Sequence, residues 1–77
     1  MKYDWSKVPN SVICITTDKN GVVKGFEGKP YKSQTGFGSS YGYFLLKDVK
    51  PYVGFWSDSV EFLPNAEWLD AWRKDYE

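Results

Sequence analysis

Seventy-seven residues with ten basic and ten acidic side chains carry no net charge, no histidine and one cysteine. A chain of this length forms a single domain, 1–77, that buries roughly 60% of its unfolded surface, so it depends on dense packing or a partner. The missing histidine removes the usual base for a Ser or Cys nucleophile, and with one cysteine it leaves neither a zinc set nor an internal disulfide.

The neutral total hides a polarity. Met1 to Lys50 holds eight lysines against Asp4, Asp18, Glu27 and Asp48, whereas the remainder sets Arg73 and Lys74 against six acids. The balance is +4 and then −4, which suits either a solvated surface or head-to-tail self-association. Neutrality argues against a DNA mimic and against a duplex-DNA binder. No apolar run reaches the roughly 20 residues of a membrane span, and the polar start is not that of a signal peptide. The sequence therefore predicts no membrane partner and, with its single cysteine, a reducing cytoplasm.

In chain order, Ser11 to Thr17 is rich in β-branched residues, and Val22 to Glu27 resumes that character after Asp18-Lys19-Asn20-Gly21. The Asn-Gly pair suits positive φ, so this is a β-hairpin with Cys14 as a buried, inert thiol. Gly25, Gly28 and Pro30 interrupt the second strand, which bends or ends near Lys29. Tyr41 to Lys47, Tyr52 to Trp56 and Ser59 to Leu63 read as further strands. After Pro64, Asn65 is placed to cap a helix over Ala66 to Tyr76, whose Trp68, Leu69, Trp72 and Tyr76 share one face. The predicted fold is α+β: a small antiparallel sheet of four to five strands with one C-terminal helix packed across it.

Between the second and third strands, Ser33 to Phe44 reads S-Q-T-G-F-G-S-S-Y-G-Y-F and contains no charge. Gly, Ser and Tyr are the residues of adaptable recognition surfaces, because tyrosine supplies contact area at low entropy cost. Phe37, Tyr41 and Tyr43 are the expected partner-binding anchors, with Lys29 and Lys32 steering. The catalytic alternatives are thinner. Asp58 and Glu61 are a carboxylate pair without a cleft to work in, and Gly36-Phe37-Gly38 lacks the Gly-Lys-Ser/Thr ending of a phosphate loop. The expectation is a non-enzymatic protein without cofactor or metal.

Two resemblances sharpen this reading. Gly21-Val22-Val23-Lys24-Gly25-Phe26, with Gly36-Phe37-Gly38 and Tyr41-Gly42-Tyr43-Phe44, resembles the aromatic strands of cold-shock and other OB-type domains, though more widely spaced. That implies a single-stranded nucleic acid or nucleotide held by Lys24, Lys29, Lys32, Phe37, Tyr41 and Tyr43. The opening Asp4-Trp5-Ser6-Lys7-Val8-Pro9, with Phe55-Trp56-Ser57 near the C-terminus, resembles small accessory proteins of bacteriophages and prophages. This implies a factor that binds and blocks a host enzyme or defence complex, as anti-CRISPR proteins do. Read locally, Asp4 or Ser6 caps a turn while Trp5 and Pro9 pack over the sheet. A virion or assembly component that forms homo-oligomers is the third alternative.

Overall fold

The β-branched run is where the chain commits to strand. In the computed structural model, which describes residues 1–76, β1 (Cys14–Thr17) pairs antiparallel with β2 (Val23–Phe26), Cys14 opposite Phe26 and Thr17 opposite Val23. Gly21 takes the positive φ, 88°, that the tight connection requires. A two-residue ribbon, β3 (Tyr31–Lys32) with β4 (Phe37–Gly38), follows. The chain then returns as β5 (Phe44–Leu45) beside β2, and later as β6 (Glu61–Phe62) beside β1. The main sheet thus runs β5-β2-β1-β6, with the β3–β4 ribbon separate. The α+β class and the antiparallel sheet are as the sequence predicts.

Both faces of that sheet are buried. Alternation sends Cys14, Phe26 and Phe62 to one side, where Phe37, Val60, Ala66 and Leu69 join them with Trp56, Trp72 and Tyr76. Ile15, Val23 and Leu46 point to the other, against Tyr3, Val12 and Val49 with Trp5 and Tyr52. Aromatics from the chain's two ends therefore build a three-layer packing, where the sequence reading expected two. Gly25 permits the second layer to close, since a Cβ there would stand 3.0 Å from Leu46 and 3.1 Å from Val12.

The helix is shorter than predicted. A 3₁₀ turn, Glu67–Leu69, precedes α1 (Asp70–Lys74). Asn65 does not cap it: it adopts φ 63° to reverse the chain after Pro64, and Arg73 instead donates to the carbonyls of Leu63 and Ala66. Leu69 is fully buried, and Trp72 and Tyr76 lie against Phe62 with ring centroids 6.1 and 5.7 Å away. Trp68 leaves the expected face and is 67% exposed. Tyr52 to Trp56 forms no strand. Val53 and Phe55 project into solvent, and the chain turns into a 3₁₀ segment, Trp56–Asp58, with Asp58 N–H on the Phe55 carbonyl.

At the N-terminus, Asp4 accepts from the Ser6 N–H and hydroxyl, and the Trp5 indole donates to Glu61 at 2.7 Å. Tyr3 is buried with its hydroxyl 2.8 Å from both Thr17 Oγ1 and the Ser59 carbonyl. Burial nevertheless pushes its pKa up to about 12. Below the unfolded value near 10, both states keep the proton. Between 10 and 12 only the folded state does, so ionisation favours unfolding and stability falls as pH rises. Urea melts across this window are expected to show that fall, and Tyr3→Phe to make it shallower.

Candidate functional site

Asp18, at the end of the hairpin's first strand, organises the glycine-rich segment. It is buried, accepts the Phe37 N–H at 3.0 Å and pairs with Lys24 at 2.8 Å. Lys24 also donates to the Phe37 carbonyl at 2.8 Å and lies 4.4 Å from the centre of the Tyr43 ring. Gly36 fits only as glycine, because its Cβ would come within 2.4 Å of Asp18 Oδ1. The segment expected to be a flexible loop is therefore latched at its centre to the hairpin.

The latch redistributes the predicted contact residues. Phe37 is 2% exposed and meets Trp56 edge-on at 5.8 Å. It is core and not an anchor, because its backbone is held on both sides by Asp18 and Lys24. Lys29 pairs with Asp75 near the end of the C-terminal helix. Lys32 sits on the β3–β4 ribbon, 5.9 Å from the Trp56 ring centre. Tyr41 and Tyr43 keep their exposure, at 95% and 50%. The five residues thus fall into separate surroundings, with the two tyrosines together on one short segment.

What joins the tyrosines was not legible as a surface in the sequence. Phe44 and Leu45 follow directly, and both are also exposed, Leu45 by 55%. They form β5, the outer strand of the sheet. Leu46 N–H donates to the Val23 carbonyl at 3.0 Å, so by alternation Leu45 and Tyr43 direct their own N–H and C=O groups away from β2. From Tyr41 to Leu46 there is no charge and no proline, the usual guards of a free edge. Its ends differ in sign: Glu27, Gly28, Tyr41 and Tyr43 line a hollow of about 360 Å³ at one end, and Leu45 adjoins Lys47 at the other.

Lys2 guards the start of the opposite edge. Lys2 donates its backbone N–H to Glu61 at 2.8 Å, and its ammonium takes the carbonyls of Asp58 and Val60 at 2.6 and 2.9 Å. Both oxygens of Glu61 are thus engaged, by Lys2 and Trp5. The carboxylate considered for acid–base work has a structural role. Cys14 is fully buried, and burial drives its thiol pKa upward, which suppresses the reactive thiolate. Among the described residues no group of His, Cys, Asp and Glu is placed to hold a metal ion, and no helix is long and apolar enough to cross a membrane.

Fold and site together define a small α+β domain with a sheet buried on both faces and one exposed apolar edge. No family model, curated protein or solved structure matches the chain.

Proposed function

We propose that the protein is a phage-encoded, non-catalytic binding protein that acts in the bacterial cytoplasm by covering a surface of a host enzyme or defence complex. The observation that carries this reading is the run Tyr41 to Leu45, which exposes four large apolar side chains on the outer strand β5 and the turn leading into it. Extended partners add to such edges through backbone hydrogen bonds, and side-chain pockets supply the specificity. Tyr41 and Tyr43 are the anchors, Phe44 and Leu45 widen the contact, and Lys32 stands on the neighbouring ribbon. The phage origin and the inhibitory role rest on the resemblance carried by Asp4 to Pro9.

Tyr41→Ala with Tyr43→Ala tests the assignment. Tyr41 touches little of the fold, and Tyr43 loses its contacts with Phe26 and Lys24, so the double variant is expected to stay folded, with a penalty of about 1 kcal/mol. Affinity capture from bacterial lysate should retain a host protein on the wild type and lose it on the variant. Equal capture by both, with the fold intact by circular dichroism, would remove the edge from the contact surface.

The exposure of Tyr41 also favours a second reading, a base-stacking platform for single-stranded nucleic acid. Lys24, a phosphate ligand in that reading, is already committed to Asp18 and Phe37. Oligonucleotide binding that quenches aromatic fluorescence and weakens steeply with salt would move the assignment to this class.

A further inference from the structure

We infer that a second copy of this chain pairs with the β5 edge, giving a two-fold dimer with one continuous eight-stranded sheet. The backbone supplies the first reason. Tyr43 and Leu45 each turn an N–H and a C=O outward, two residues apart, so an antiparallel copy centred on Phe44 matches Tyr43 of one chain to Leu45 of the other. Four hydrogen bonds result, and every outward group of the pair is used. At the β6 edge the outward Val60 carbonyl is already taken by the Lys2 ammonium.

Charge selects the occupant. The two-fold axis reverses the edge, bringing Lys47 of one copy to the hollow lined by Glu27 and Tyr41 of the other. Each lysine then meets a carboxylate and an aromatic ring, and the axis makes the contact twice. Both charges are on exposed residues, and Glu27 makes no ion pair within its own chain among the described residues. The same register sets Phe44 against Phe44 on the axis and Tyr43 beside Leu45, covering the apolar side chains that a monomer leaves in water. The dimer rests on the edge itself and not on any host target. Where such a target binds the same edge, the two compete, and dimerisation masks the surface until a tighter partner displaces it.

Sedimentation equilibrium on the purified chain tests this. The wild type is expected to pass from monomer at about 1 µM to mostly dimer near 1 mM, the range of a small and weak interface. Leu45→Lys should raise the dissociation constant at least tenfold, since it places a lysine on the edge and beside Tyr43 of the other copy. Lys47→Glu should also weaken the dimer, because the introduced carboxylate would face Glu27 of the other copy, whereas combining it with Glu27→Lys should restore the wild-type constant. Circular dichroism confirms that each variant folds. A wild type that remains monomeric at 1 mM overturns the dimer. A dimer indifferent to Leu45→Lys, or one that the paired charge reversal fails to restore, overturns this interface. A failed dimer leaves the capture experiment with Tyr41 and Tyr43 unaffected, so the two readings fail separately.

Discussion

Asp18→Ala is expected to lower the unfolding free energy by about 3 kcal/mol, which for a domain of this size moves the melting temperature by roughly 15 °C. The carboxylate is the acceptor for the Phe37 N–H and the counter-ion of Lys24, and the two side chains are only 11% and 14% exposed. Removing it leaves a cation and an amide in a site that water reaches poorly. Gly36→Ala should act on the same latch from the other side, pushing a methyl group into Asp18 Oδ1. Because both changes release one contact, the double variant should be less destabilised than the sum of the two. Thermal or urea melts measure each term. A loss below about 1 kcal/mol for Asp18→Ala would show that the latch does not hold the ribbon.

Leu69→Ala and Trp68→Ala are adjacent substitutions with opposite expected consequences. Leu69 is completely buried between the sheet and the C-terminal segment, so its truncation should cost about 3 kcal/mol through lost burial and the cavity left behind. Trp68 makes an edge contact with Trp72 at 6.3 Å but is two-thirds exposed, and its removal should cost less than about 1 kcal/mol. The shared helical face inferred from the sequence would make the larger Trp68 the costlier loss. Urea melts of the two variants decide between these orders, and comparable losses would contradict the observed packing.

The hairpin was legible because β-branched residues and an Asn-Gly turn act locally, and Cys14 and Phe26 lie where alternation puts them. The helix was half legible. Its apolar spacing located Leu69, Trp72 and Tyr76, but Asn65 was needed to reverse the chain and was lost as a cap. Three features escaped for reasons that are tertiary. Phe37 lies in a Gly/Ser segment whose composition signals flexibility, and its burial follows from Asp18, nineteen positions earlier. The second core layer depends on Leu46 crossing Gly25. Leu45 is exposed only because β5 is the last strand on its side, and sheet order is not written in local periodicity. The exposed apolar run was therefore half visible: Tyr41 and Tyr43 by composition, Phe44 and Leu45 by topology alone. Phe37 was misassigned, and Lys29 is drawn off by Asp75.

In the proposed function the Tyr41–Leu45 edge is the contact surface. Residue-resolved amide hydrogen exchange tests it most directly, comparing dilute protein with protein saturated by the host partner it captures. The outward N–H groups of Tyr43 and Leu45 should exchange freely alone and become protected in the complex, while Leu46, already bonded to Val23, changes little. Protection gained at Val53 to Trp56 or along the C-terminal helix, with Tyr43 and Leu45 still exchanging freely, would contradict the claim and place the contact surface elsewhere on the molecule.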